Sequence, residues 1–193
     1  VGVSTHEEGF AGATSRELAR QYEKNIEWKV VARSGYTVRM VRKKLIRRIG
    51  EFHPDIIVLG LGGNDAFKLH SPWKWRYEIT KLIRALSLVY PNVQIAFTNM
   101  PPIKEFPAFT RQIKFVVGNL VEILGEELNS TVNQFKNVIY SSEVIRIEDW
   151  IHLLLDSQKP SDFFSDGVHP SKLTYQTWGK EIARFIQKSE LKF

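Results

Sequence analysis

Apolar positions along the chain alternate between two rhythms. From Phe10 to Asn25 they recur at helical spacing, with Leu18, Ala19 and Tyr22 on one face. Trp28–Ala32 is short and valine-rich and predicts a strand. After the Ser34-Gly35-Tyr36-Thr37 turn, Val38, Val41, Leu45 and Ile49 return to helical spacing. They predict a helix over Thr37–Phe52 with Thr37 as N-cap. Ile56–Leu61 is a continuous apolar run framed by glycines, the pattern of a strand covered on both faces. Pro72–Tyr90 predicts a helix with Ile79, Leu82, Ile83, Leu86 and Val89 inward, and Val93–Thr98 predicts a strand ended by Pro101-Pro102. A long helical stretch over Phe109–Phe135, interrupted weakly at Gly118 and Gly125, leads to a strand at Val138–Ser141. A short helix at Ile147–Leu155 and a closing helix over Pro170–Lys188, with Trp178, Ile182 and Phe185 inward, complete the pattern.

Strands separated by helix-length segments imply parallel pairing through right-handed crossovers. The expected class is therefore α/β, with helices on both faces of an open sheet. The 193 residues suit one domain, and 43% hydrophobic with 25% charged residues is ordinary globular composition, which excludes disordered and fibrous readings. No apolar run reaches the ~18–20 residues of a membrane span. Cysteine is absent, which removes disulfides, a thiolate nucleophile and Cys-ligated metal. The 27 Lys and Arg against 21 Asp and Glu leave a net charge of +6, which permits nucleic-acid binding without requiring it. Much of that excess lies at Arg39, Arg42, Lys43, Lys44, Arg47 and Arg48, interleaved with the apolar stripe. A solvated helix face is the expected reading.

In open parallel sheets ligands bind beyond the carboxyl ends of the strands. There the chain places Gly35, whose backbone N–H a ligand can approach closely, and the loop Gly60-Leu61-Gly62-Gly63-Asn64-Asp65 with its side-chain amide. Either could also be plain turn chemistry. The loop is neither a phosphate-binding loop nor a dinucleotide fingerprint. Near the C-terminus, Asp166-Gly167-Val168-His169-Pro170 spaces a carboxylate and an imidazole so that a turn can join them. The competing readings are a helix N-terminus opened by Pro170 and, less well supported for want of further ligands, a metal pair. His6, His53, His70 and His152 have no partner at meaningful spacing. Two hydrogen donors and an orientable base are equipment for acyl transfer.

The Gly35 turn, the Gly62-Gly63-Asn64-Asp65 loop and the Asp166-Gly167-Val168-His169 segment, in that order, resemble the SGNH (GDSL-type) hydrolase superfamily. The resemblance spans most of the chain. It implies a three-layer α/β/α sandwich with a flavodoxin-like parallel sheet, and ester hydrolysis without cofactor or metal. By the same resemblance, Asn64 and the Gly35 N–H would be oxyanion donors, His169 the general base and Asp166 its orienting partner.

The start of the chain departs from the pattern. Members of the superfamily open with an apolar strand ending in the nucleophilic serine, whereas Val1-Gly2-Val3-Ser4 is loop-like and has no strand to present Ser4. The expectation is one SGNH-like domain over residues 1–193, N-terminally incomplete. Its first, central strand and its serine would lie upstream of Val1, leaving this chain alone inactive. That strand would fall between Trp28–Ala32 and Ile56–Leu61. Phe67, Trp73, Trp75, Met100, Pro101, Pro102 and Phe106 could wall an apolar acyl pocket, which favours an acyl ester or lipid substrate over an acetylated sugar. The alternatives are a non-catalytic SGNH-like binding module and, last, a nucleic-acid binder using the basic helix. Compartment and oligomeric state are not encoded.

Overall fold

An apolar run becomes a strand or a helix only where something covers or pairs it. The computed structural model describes residues 2–154 and 158–189. It is α/β, with a small parallel sheet flanked by helices. The described residues gather into two compact units, one from Val31–Pro101 and Lys114–Val144, the other from residues 2–30, Pro102–Ile113, 145–154 and 158–189.

The first unit holds the sheet. Strands β1 (Ile56–Leu59), β2 (Gln94–Phe97) and β3 (Val138–Tyr140) lie in the order β1-β2-β3, all parallel, with Val58 opposite Ala96 and Ala96 opposite Ile139. Parallel neighbours need long crossovers. Helix α5 (Pro72–Val89) provides the first, and α7 (Asn119–Val132), entered through a π-helical turn at Lys114–Gly118, provides the second. Ser71 caps α5 by accepting from the Lys74 N–H, with Pro72 in the first turn where its missing N–H costs nothing. Ile79, Leu82, Ile83 and Leu86 of α5 are buried with Ile95 and Phe97 of β2 and Leu124 and Leu128 of α7. Trp75 belongs to the same core, its indole N–H donating to the Leu124 carbonyl at 2.9 Å.

Three expectations need adjusting. The helix over Thr37–Phe52 is two, α2 (Val38–Lys44) and α3 (Ile46–Ile49), broken at Leu45. Leu45 and Ile46 are both buried, and the break turns two consecutive apolar side chains inward, where an unbroken helix would splay them by about 100°. Trp28–Ala32 joins no ladder, because valine-rich sequence makes a strand only beside a partner. Among the described residues β1 pairs with β2 alone, and its four residues are half-buried rather than enclosed. The basic stripe behaves as a helix face. Arg42 reaches inward from α2 to Glu78 of α5 at 2.9 Å, while Val38 and Leu45 are buried.

The second unit is built on α1 (Phe10–Tyr22), α8 (Ile147–Leu153) and α9 (Lys172–Lys188), with the short α6 (Arg111–Ile113) and 3₁₀ turns at Ile103–Glu105 and Pro160–Phe163. Leu155, expected to end the short helix, lies outside the described residues. Ile145, Ile147, Trp150 and Phe163 form a core cluster against which Leu173 and Trp178 pack. Helices α1 and α9 run against each other at Gly179, where an added Cβ would stand 2.7 Å from the Ala13 Cβ and 3.0 Å from the Thr14 nitrogen. No helix among the described residues is long and apolar enough to cross a membrane.

The Gly179 contact is made with the Ala13 Cβ and with the backbone of Thr14 and Phe10, none of which can yield by rotating a side chain. Gly179→Val is expected to lower unfolding stability by about 1–3 kcal/mol, the ordinary cost of overpacking, measured by urea denaturation. An unchanged midpoint would refute the close-packing account.

Candidate functional site

In the unit built on α1 and α9, the segment 164–170 closes on itself. Phe164 and Pro170 form an antiparallel bridge, and the Ser165 N–H donates to the His169 carbonyl at 2.8 Å. Inside this loop the Asp166 carboxylate accepts three hydrogen bonds. Oδ1 takes the backbone N–H groups of Val168 at 3.0 Å and His169 at 2.8 Å, and Oδ2 meets His169 Nδ1 at 2.7 Å. Gly167 makes the turn possible with φ of +84°, a conformation L side chains avoid. The His169 backbone N–H first, then its ring, and then the Val168 N–H hold the Asp166 carboxyl down at about 2. The group is therefore anionic at any ordinary pH. With Nδ1 engaged by that carboxylate, Nε2 is the ring nitrogen left over, and it makes no hydrogen bond among the described residues. His169 is 44% exposed, accessible to a reactant.

The helix-start reading of this segment does not hold. Helix α9 begins two residues beyond Pro170, and its cap is Ser171, whose Oγ accepts from the Thr174 N–H at 3.3 Å. The opening segment of the chain is seated on the same loop: Gly2, at φ of +78°, lies so close that an added Cβ would strike the Pro170 carbonyl. Ser4 is exposed in the turn that follows.

In the sheet unit, α4 (Gly63–Phe67) starts just past β1. Its cap, Gly62, sits at φ of +113° with Met100 packed where a side chain would go. Asn64, in the first turn, donates one amide N–H to the Tyr36 carbonyl at 3.0 Å and keeps the other. The neighbouring Asp65 is buried. Its Oδ2 accepts the Val38 N–H, the first of α2, at 3.0 Å, and its Oδ1 meets His70 Nδ1 at 2.9 Å. Consecutive side chains of one loop thus grip the 36–38 turn, one at a carbonyl and one at an N–H. Beside that grip, Gly35 holds φ of +76° with open space around it, and its N–H makes no hydrogen bond among the described residues. Burial pushes the Asp65 carboxyl up, opposed by the Val38 N–H and by His70.

The four candidates therefore fall into two pairs: Asp166 with His169 in one unit, and Asn64 with the Gly35 turn in the other. Asp65 and His70 were missed as partners. The available signal was a histidine five residues past an aspartate, across a helix of barely more than one turn. His152 also has an interaction of its own. The suggested pocket wall separates. Trp75 is core, Met100 packs over Gly62, Phe106 packs edge-on against Phe164, and Trp73 and Phe67 are exposed. Among the described residues no group of three or more His, Asp or Glu gathers as a metal site.

Two measurements test this geometry. In a carboxyl NMR titration Asp166 should show a midpoint near 2 in the wild type and a higher one in His169→Ala, which loses the ring but keeps the backbone N–H. Because the folded value lies below the ordinary one, the contribution of Asp166 to stability is full above about pH 4 and fades as pH falls toward 2. Asp65→Ala should cost about 2–4 kcal/mol by leaving a buried N–H and an imidazole without their acceptor, and should speed hydrogen exchange at Val38. Wild-type exchange at Val38 would contradict it.

The model of the GDSL-like lipase/acylhydrolase family matches residues 1–177, running through both units. No curated protein matches the chain. Among solved structures, the chain is similar to a family 3 carbohydrate esterase from Clostridium thermocellum, with 18% sequence identity and a TM-score of 0.57 over 93% of this chain and 87% of that one. At that identity the likeness concerns the fold. A match over nearly the whole length assigns the sequence: this chain belongs to the GDSL-like lipase/acylhydrolase family.

Proposed function

We propose that the protein hydrolyses carboxylic esters through an acyl-enzyme, with His169 as general base, Asp166 as its orienting carboxylate, and Asn64 and the Gly35 N–H as oxyanion donors. The observation that carries the reading is the 2.7 Å bond from Asp166 Oδ2 to His169 Nδ1, in a loop that the other carboxylate oxygen holds rigid. The serine hydroxyl that the family resemblance implies attacks the ester carbonyl while His169 Nε2 takes its proton. Asp166 stabilises the imidazolium. The carbonyl oxygen becomes an oxyanion and accepts from the Gly35 N–H and the remaining Asn64 amide hydrogen. Collapse expels the alcohol, which leaves with the proton from His169. Water then repeats the sequence on the acyl-enzyme.

The substrate reading is an acyl ester or lipid. Loss of Trp75 to the core removes part of the wall that supported it. The name of the structural neighbour, a carbohydrate esterase, supports a saccharide ester, such as the acetylated sugar weighed above, as the second reading.

The test uses p-nitrophenyl esters of rising chain length. His169→Ala should lower kcat by about a thousandfold or more, and Asn64→Ala by about a hundredfold or more. Full activity in His169→Ala would refute the assignment. A rate that peaks at acetate favours the saccharide reading, and one that rises with chain length favours lipid.

A further inference from the structure

The solvent side of α5 carries a pattern that the ester chemistry does not use. Trp73, Arg76, Tyr77, Thr80, Lys81 and Arg84 recur at i, i+3, i+4, i+7, i+8 and i+11, one face of a helix. Trp73 is 66% exposed, and it is the one exposed tryptophan among the described residues. Its indole stacks on the Tyr77 ring at 5.8 Å between centroids and 10° between planes, and the Lys81 ammonium stands over the same Tyr77 ring at 4.2 Å. A groove of about 330 Å³ opens here, bounded by Trp73, Arg76, Tyr77, Thr80 and, from beyond α7, Gln134.

The charges on this face are of one sign. Glu78 is the acidic residue of α5, and it is turned inward to Arg42. Among the described residues the one carboxylate ion-paired to the stripe is Glu127 of α7, 3.4 Å from Arg76. Arg84 has no ion pair among the described residues. The groove's polar atoms are mixed. The Thr80 hydroxyl donates to the Arg76 carbonyl and Gln134 Nε2 donates to the Ser130 carbonyl, so the Thr80 oxygen and Gln134 Oε1 remain as acceptors beside the Arg76 and Tyr77 donors.

We propose that this face of α5 binds an acidic saccharide chain, with one sugar ring on the Trp73 indole and the anionic groups toward Lys81 and Arg84. A sugar offers an apolar ring face, hydroxyls that both donate and accept, and, when acidic, charge opposite to the stripe. The stripe spans about 16 Å at 1.5 Å per residue, room for a short run of sugars. A single-stranded nucleic acid fits less well. Such strands stack successive bases on successive aromatic faces, and here Tyr77 is already engaged by Trp73 and Lys81, leaving the Trp73 indole as the exposed platform. The proposal does not rest on the ester reading: none of its residues is the proposed base, its carboxylate or an oxyanion donor, and Trp73, once a candidate wall of an acyl pocket, lies exposed on this face.

Isothermal titration of the full chain with an oligomannuronate hexamer, cellohexaose and a twenty-nucleotide oligothymidylate tests it. The oligomannuronate should bind most tightly and weaken as salt rises. Trp73→Ala should lose about tenfold or more, the usual scale for an aromatic anchor, with an unchanged circular dichroism spectrum. Arg84→Gln should lose several-fold and show a shallower salt dependence. The proposal is overturned if oligomannuronate does not bind at millimolar concentration, if Trp73→Ala binds like the wild type, if cellohexaose binds equally well, or if the oligothymidylate binds more tightly.

Discussion

A carboxylate taken out of water must find hydrogen donors, and the sheet unit is organised around one that does. Asp65 is buried, and its two oxygens are spent on the first N–H of α2 and on His70. The donor at Val38 is one of the orphan groups that every helix start presents. Thr37, the expected cap, makes no side-chain cap bond, so a residue distant in sequence does that work. The bond fixes α2 and the loop after β1 in one relation. Asn64, one residue earlier, reaches the Tyr36 carbonyl because Asp65 has already set the distance. The placement of a free amide hydrogen beside the Gly35 turn is thus a consequence of how a buried charge is satisfied.

The Asp166 loop solves a similar problem by local means. Its three acceptor bonds all come from residues two or three positions away, and the carboxylate stays at the surface. Burial raises Asp65 while local N–H groups lower Asp166, so two aspartates in one chain are pushed in opposite directions. Asp65 is suited to structure. Asp166 is suited to holding a partner imidazole in one orientation.

What could be read from the sequence follows this division. The Asp166–His169 pair was legible because its bonds are local and the spacing of the two residues encodes them. The crossovers, the three paired strands and the inward face of α5 as far as Leu86 were legible because burial leaves a period in the pattern, whereas Val89, expected inward, is exposed at the end of the helix. The roles of Asp65 and His70 were not, because no local rule ties an aspartate at 65 to an N–H at 38. The break at Leu45 was hidden because Leu45 and Ile46 are both apolar and fit a continuous helix as readily as a broken one. Trp73 and Trp75, two positions apart, look alike in sequence but lie on opposite sides of α5. Strand pairing at Trp28–Ala32 was overestimated because propensity describes one strand, while a ladder takes two.

The Gly179 crossing bears on the order in which the molecule assembles. Helix α1 is made before the sheet unit, yet the groove it fits belongs to α9, made after that unit. The strands and helices of the sheet unit are all complete before α9 is made. Closing so distant a contact carries a large loop-closure entropy, and non-local contacts of this kind form late. The apolar side of α1 therefore waits uncovered on the nascent chain until α9 arrives, and a ribosome that stalls before α9 would release a polypeptide with that surface bare.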